Sequence, residues 1–535
     1  MSAASPTPTI QSESSPRRQP HRLTLRRAVE LCCYMTVLVI LIRTFIAEAY
    51  IVPTGSMAPF LVGYHKSTTC PKCEFSVTVG HLGRVSPDGR PEDPAQARRH
   101  YALACCPNCG WDRLELDKAP ECAGDRLLVH KHIFDLRSPR RWELVVFQHP
   151  PSDAVQGYAM PVPDSYIKRL VGLPGETVQV RDGDLYINET ICRKTLGEFR
   201  EMRVPIYEDA HAPSDAPESF RWTGLADGDW RTPDGKPSSK RQSNRTLPSW
   251  IHYRHLVRMA ETGGKLVWRQ RELQDTIGYN GALPTDRHVH DVFLEAQIEV
   301  TGDGWLDLAI TDGHDDVLVH IPVGNQEGRA ELRHAQSENW AGNAAGMTSR
   351  LNAVRGQTRV PLPGSPRLGD GERSHLRFGL VDRRLFLAFG ERDVFEGGYD
   401  LPSPPANRPR RAMSRALVLD GFGPVSLGER GMTLRARGLR LYRDVHYTDG
   451  DGRDLYPNGV RRPVLLGAGE YFVLGDNSAN SYDSRCWRSG PAVQHEWLVG
   501  KPFLLHLPTQ IVEWNGLGDK RALAVPDWGR MKLLR

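Results

Sequence analysis

Long apolar runs are almost missing from this chain of 535 residues: one exists, over 28–47 (A-V-E-L-C-C-Y-M-T-V-L-V-I-L-I-R-T-F-I-A), and no second follows. A single run leaves no material for a multi-span membrane protein. A large excess of one charge is missing too. The formal net charge is +5, with both signs mixed along the chain, so nothing in the balance asks for a nucleic acid as partner. The cations are nonetheless uneven around the apolar run: Arg17, Arg18, Arg22, Arg26 and Arg27 precede it, whereas Glu48 and then Lys66 are the first charges beyond it. That asymmetry is the positive-inside pattern. The run continues into Y-I-V-P-T-G-S-M, which is poor sequence for signal-peptide cleavage. One uncleaved transmembrane helix over 28–47 is therefore expected, with Glu30 and Arg43 toward its two ends, a cytoplasmic N-terminus, the lipid bilayer as partner and the bulk of the chain outside the cytoplasm.

At about 150 residues per domain, this length implies roughly three or four units. Composition divides it as follows. Residues 1–27 are Ser/Pro/Thr/Gln-rich and basic, without an apolar period, and are expected to be a disordered cytoplasmic tail. After the helix, 48–66 reads as the first part of an interrupted domain, 67–122 as a cysteine-bearing insertion, and 123–195 as the second part of that domain. Residues 196–249 read as an exposed Pro/Asp/Ser/Lys-rich linker. Over 250–445, short runs such as L-E-A-Q-I-E-V, L-D-L-A-I, L-R-F-G-L and R-L-F-L-A-F alternate apolar with polar positions and are parted by Gly/Asp turns. This pattern predicts an inserted antiparallel β-sandwich of lectin- or laminin-G-like texture whose ligand, if it has one, is unknown. Residues 446–535 close the interrupted domain. The fold class expected is mainly β.

Two dipeptide-spaced cysteine pairs lie in the first insertion, Cys70-Pro-Lys-Cys73 and Cys106-Pro-Asn-Cys109. Two such knuckles supply the four thiolates of a tetrahedral structural zinc. Disulfides, with Cys105 and Cys122 as further partners, are the competing use of these thiols outside the cytoplasm. Downstream, V-Q-V-R-D-G-D-L-Y-I-N-E reads as a hairpin closed by an Asp-Gly turn.

Ser56 stands just past the apolar run in Y-I-V-P-T-G-S-M-A-P, where Pro53 and Gly55 turn the chain and present the hydroxyl. Lys168 lies in an apolar strand with Tyr166, Ile167, Leu170 and Val171 around it. Burial among such neighbours disfavours an ammonium ion, and a neutral lysine can take the proton of a serine hydroxyl. The Thr54 hydroxyl and the Ser56 amide are near enough in sequence to donate to an oxyanion. A polar cluster, Asp476, Asn477, Ser478, Ser481, Asp483 and Arg485, follows in G-D-N-S-A-N-S-Y-D-S-R.

Taken together, Y-I-V-P-T-G-S-M-A-P, G-D-R-L-L-V-H-K, Y-I-K-R-L-V-G-L-P-G-E, G-D-N-S-A-N-S-Y-D-S-R and L-V-G-K-P-F occur in an order that resembles the bacterial type I signal peptidases. That resemblance covers about a third of the chain. It implies a Ser/Lys serine endopeptidase of the bacterial inner membrane, single-pass, acting on signal-peptide-bearing preproteins after small-x-small sites and needing no catalytic cofactor. It further implies Ser56 as nucleophile, Lys168 as general base, Thr54 and Ser56 at the oxyanion, and Ser481 orienting the lysine. Asp483 with Arg485 would form a supporting ion pair beside Asp476 and Asn477, and Val52, Met57, Tyr166 and Ile167 would line pockets for small substrate residues. The two insertions and Trp142-Glu143, in place of an Arg-Gly-Asp turn, depart from the common pattern. A different class remains open beside it: an anchored β-sandwich binding protein with a degenerate protease domain.

Overall fold

The computed structural model describes residues 25–45, 47–81, 94–102, 104–148, 165–213, 215–216, 221–224, 230–231, 238–239, 248–261, 264–280, 287–336, 358–402, 424–448, 456–460, 462–488, 490–516 and 519–534. The expected tail over 1–27 falls almost wholly outside them. The chain forms two compact units, 1–48 and 49–535.

In the first unit, Leu25–Phe45 is one α-helix with Arg43 in its last turn. Leu31, Tyr34, Met35, Val37, Leu38, Val39, Ile40 and Leu41 are all exposed on it. Among the described residues, no helix is long and apolar enough to cross a membrane, so the span expected over 28–47 is not met by the described helix.

The second unit is built from antiparallel sheets. Its first sheet runs in the order Ala47–Ile51, Arg126–Lys131, Leu498–His506, Leu144–Phe147, Tyr166–Gly172, Glu470–Leu474 and Val493–Gln494, with Lys532–Leu533 also paired to Leu498–His506. Side chains alternate between faces along a strand, and here both faces are covered. Leu144 and Val146 join Val52, Met57, Leu61, Leu127 and Val129 in one core, while Val145 and Phe147 join Leu170, Tyr471, Val473 and Trp487 in another. Burial on both sides is why L-V-V-F is uninterruptedly apolar. Thr177–Arg181 and Asp184–Ile187 form the expected hairpin, with Asp182 and Gly183 at φ 48° and 88° in its turn.

The cysteine-bearing segment contributes His65–Thr69, Ser76–Gly80 and Glu121–Cys122 as a small sheet. Within that segment, Pro94–Ala102 is helical, with the proline at its start.

Farther along, a nine-stranded and a seven-stranded antiparallel sheet share one large core. Val292–Thr301 is paired on one side with Arg373–Val381 and on the other with Thr433–Arg443. Leu294, Ala296, Ile298 and Val300 are buried along it, the period-two face read from the sequence.

The stretch expected to be a linker, 196–249, differs where it is described. Leu196–Met202 is a helix closed at its start by a reciprocal capping box between Thr195 and Glu198. Val204–Glu208 pairs with Thr433–Arg443, and Trp222, fully buried, opens a strand paired with Ser249–Tyr253. The Pro, Asp and Ser content of the stretch masks two local signals, T-x-x-E and the alternation in V-P-I-Y-E.

Candidate active site

Chain direction around Ser56 is set by Asp125, the aspartate of G-D-R-L-L-V-H-K. Its carboxylate accepts from the Val62 amide at 2.9 Å, its own amide donates to the Val62 carbonyl at 2.8 Å, and its carbonyl accepts from the Val52 amide at 2.9 Å. Between these anchors Gly55–Met57 make a single 3₁₀ turn, closed by the Ala58 amide on the Gly55 carbonyl at 3.1 Å. Thr54 precedes the turn in extended conformation and is exposed, whereas Ser56 is 6% exposed.

Lys168 comes from the strand Tyr166–Gly172 and lies opposite Val145 on the neighbouring strand. Its amine is 2.7 Å from the Ser56 hydroxyl and 3.2 Å from the Ile167 carbonyl, and the residue is 4% exposed. Burial, partly opposed by the charge of Asp483, brings the Lys168 ammonium down to about 8. In the neutral form its two hydrogens and one lone pair suit this setting. A hydrogen would serve the Ile167 carbonyl, leaving the lone pair available to a serine proton.

The following residue, Arg169, is fully buried and was not singled out in the sequence. Its guanidinium meets Asp476 in a bidentate pair at 2.8 and 2.7 Å and donates to the Trp142 carbonyl at 2.7 Å. The signal available was the Lys-Arg dipeptide itself: two cations in an apolar strand demand partners. Asp483 and Arg485 pair as expected, at 2.9 and 2.8 Å, both with no exposure. Burial alone would raise the Asp483 carboxyl, but the Arg485 charge and hydrogen bonds hold it below the usual carboxylate range. Arg485 also reaches the Ser478 hydroxyl at 2.6 Å and the Thr448 carbonyl at 2.9 Å.

The expected bond from Ser481 to the lysine is not formed. The Ser481 hydroxyl is buried beside Gly475 and, among the described residues, has no hydrogen bond to Lys168. The amine is already engaged by Ser56 and Ile167. Asn477 sits closer to Ser56 than its sequence position suggests. Its side-chain amide donates to the Gly55 carbonyl and its backbone amide to the Ser56 carbonyl, both at 2.9 Å.

Of the four residues expected to line substrate pockets, Val52, Met57 and Ile167 share one apolar cluster, with Met57 fully buried. Tyr166 belongs to another, where it stacks on Phe147 at 5.8 Å between ring centroids.

Cys70, Cys73, Cys106 and Cys109 converge, all buried, with their sulfurs within 4.8 Å of one another. The two knuckles repeat one hydrogen-bond pattern. Glu74 and Gly110 donate to the carbonyls of Cys70 and Cys106 at 2.9 and 2.8 Å, and both adopt positive φ, 57° and 71°. The Cys70–Cys109 and Cys73–Cys106 sulfurs are 3.7 and 3.6 Å apart, and the described cysteines are free thiols.

The match to known proteins is confined to parts of the chain. The family model described as signal peptidase, peptidase S26, matches residues 119–246 and 443–507. These hold Lys168, Asp476, Asn477, Ser481, Asp483 and Arg485, while Ser56 lies outside them. Probable signal peptidase I-2 of Synechocystis sp. is 42% identical over 84 residues, covering 16% of this chain and 35% of that protein. Signal peptidase I of Leptolyngbya laminosa is 42% identical over 64 residues, 12% of this chain and 30% of that protein. Signal peptidase I of Pseudomonas fluorescens is 29% identical over 115 residues, 20% of this chain and 37% of that protein. The chain thus spans about a third of the length of the curated relatives it matches. Among solved structures, the carbohydrate binding module CBM66 from Bacillus subtilis is similar over 41% of this chain and 94% of that one, at 12% identity and a TM-score of 0.21. Over residues 119–246 and 443–507, this chain is similar to the signal peptidase family, peptidase S26.

Proposed function

We propose that this protein is a membrane-anchored serine endopeptidase of the bacterial inner membrane that removes signal peptides from exported preproteins after small-x-small (Ala-x-Ala) sites. The observation that carries the reading is the approach of the buried Lys168 amine to the Ser56 hydroxyl, 2.7 Å, in a site where burial favours the neutral amine. Lys168 takes the Ser56 proton as the serine oxygen attacks the carbonyl carbon after the substrate's −1 residue. The oxyanion is held by the Ser56 amide and the Thr54 hydroxyl. The amine proton then passes to the leaving nitrogen, the C–N bond breaks, and an acyl-enzyme remains. A water deprotonated by Lys168 attacks that ester and restores Ser56. Arg169, Asp476, Asp483 and Arg485 touch no reacting atom in this scheme. Their buried pairs hold the loop that faces the nucleophile.

The exposed apolar side chains of Leu25–Phe45 support an anchor in the bilayer, with the Arg-rich residues before it on the cytoplasmic side. A structural zinc fits the cysteine cluster. Zinc–sulfur bonds of about 2.3 Å in a tetrahedron leave sulfurs roughly 3.8 Å apart, close to the 3.6 and 3.7 Å edges found. A disulfide needs about 2.05 Å. Bound there by four thiolates, zinc would have no open position and supply rigidity only.

The test is cleavage of a purified preprotein in detergent by wild type, Ser56→Ala and Lys168→Ala, with N-terminal sequencing of the product. Cutting after a small-x-small site that both substitutions abolish is the expected result. No cleavage by folded wild type would favour an anchored binding protein with a degenerate protease domain.

A further inference from the structure

A residue from the segment between the lysine strand and the Asp476 loop reaches the active site. Gly278–Asn280 form one tight turn between the sheet strands Ser249–Tyr253 and Val292–Thr301, outside the segments matched by the family model. Ile277 and Tyr279 pack with Ala58, Val62 and Val204 in a small buried cluster. The Tyr279 ring lies against Gly55 and Gly80, and a methyl group built on either glycine would overlap it. Its hydroxyl donates to the Tyr64 carbonyl at 3.2 Å. The turn therefore rests directly on the chain that carries Ser56.

Asn280 makes the contact specific. Its side-chain amide and that of Asn477 are paired reciprocally: Asn280 Nδ2 donates to Asn477 Oδ1 at 2.8 Å, and Asn477 Nδ2 donates to Asn280 Oδ1 at 2.7 Å. Both residues are buried, at 7% and 0% exposure. The second hydrogen of Asn477 Nδ2 serves the Gly55 carbonyl, and its backbone amide serves the Ser56 carbonyl. One asparagine thus holds two successive carbonyls of the nucleophile turn, and its orientation is set by Asn280. Without that partner, the Asn477 carboxamide oxygen is left buried and unpaired, which favours rotation of the amide away from Gly55.

We infer that Asn280 is a positioning residue for the reaction: it acts through Asn477 to hold the Gly55–Ser56 turn at the distance Lys168 requires, so that the inserted region completes the active site. The inference rests on the peptidase reading above. A nucleophile misplaced by about 1 Å costs roughly 100-fold in rate, so removing one link in its support should cost ~10- to 100-fold in kcat and leave KM nearly unchanged.

The experiment measures kcat and KM for preprotein cleavage, together with thermal melting, on full-length protein in detergent. The variants are Asn280→Ala, Asn477→Ala, the double variant and Asn280→Asp. The expected result is a fall in kcat for Asn280→Ala without a matching rise in KM, and a double variant no slower than Asn477→Ala alone. Wild-type kcat in Asn280→Ala, a change in KM only, or losses that multiply in the double variant would overturn it. Should Asn280→Ala fail to fold, Asn280→Asp decides. Its carboxylate is the same size and accepts from Asn477 Nδ2 but cannot donate to Oδ1, so a reduced kcat supports the inference and an unchanged kcat overturns it. Absence of cleavage by the wild type instead sinks the peptidase reading, a result distinct from an active wild type with indifferent variants.

Discussion

Arg169 grips both carboxylate oxygens of Asp476, at 2.8 and 2.7 Å, with neither side chain exposed. The pair joins the strand of Lys168 to the loop of Asn477, so it links the proposed general base to the support of the proposed nucleophile through the protein rather than through substrate. Breaking a buried pair from one side leaves an uncompensated charge and costs ~3–5 kcal/mol. Asp476→Leu alone is therefore expected to lower the melting temperature strongly and to abolish cleavage. The double variant Arg169→Met/Asp476→Leu should recover much of the stability, since no buried charge is left over. Equal melting of the single and double variants would show that the pair is not what the fold depends on.

Lys168 makes the opposite prediction for stability. Its ammonium falls from 10.5 to about 8 on folding, which corresponds to a penalty of ~3 kcal/mol while both states are protonated. The sign follows from proton binding: between about pH 8 and 10.5 the unfolded chain holds the proton that the folded one has lost, so stability rises with pH across that window. Lys168→Met removes the penalty. The variant should be inactive yet melt higher than wild type at pH 7, and the difference should shrink as pH rises above 8. A lower melting temperature for Lys168→Met at pH 7 would contradict this account.

How much of the site could be read from sequence depends on how local its chemistry is. Ser56 and Lys168 stood out because a turn and an apolar strand each constrain one residue, and the structure brings the two to 2.7 Å. The Asp483–Arg485 pair was legible because its partners are two residues apart. Ser478 and Ser481 are three residues apart in one loop, and spacing could not say which hydroxyl faces which cation. Arg485 takes Ser478, and among the described residues the Ser481 hydroxyl bonds neither that arginine nor the lysine. Asn280 was invisible, since its partner Asn477 lies 197 residues away. The strands over 294–300 and 384–389 were readable from their period, while Val204–Glu208 was hidden within a proline- and aspartate-rich stretch and declares itself only by pairing with Thr433–Arg443.

The cysteine cluster predicts sensitivity to metal removal away from the chemistry. Pro107, inside the second knuckle, lies against Gly278, and Arg258 donates to the Cys109 sulfur at 3.3 Å while stacking over Trp268. If the proposed zinc is held there, its loss would leave four buried thiols at close range and loosen this junction. Cys70→Ser, or prolonged chelation, should release about one zinc per chain and lower the melting temperature, with a smaller effect on the rate of protein that remains folded. Metal analysis that finds no zinc in protein purified without chelator would remove the zinc assignment.

The last prediction concerns pH and follows from the form of Lys168 that the proposed mechanism requires. Only the neutral amine can accept the serine proton, and burial sets its titration near 8. Below that value kcat/KM should fall about tenfold per pH unit as the ammonium form takes over, and above it the rate should level off. Asp483 opposes the effect of burial on the lysine, so weakening that carboxylate moves the midpoint downward. Asp483→Asn, if it folds with Arg485 left partly unpaired, should shift the acid limb to lower pH while reducing the plateau. An acid limb whose midpoint is the same in wild type and Asp483→Asn would mean that the titrating group is not Lys168.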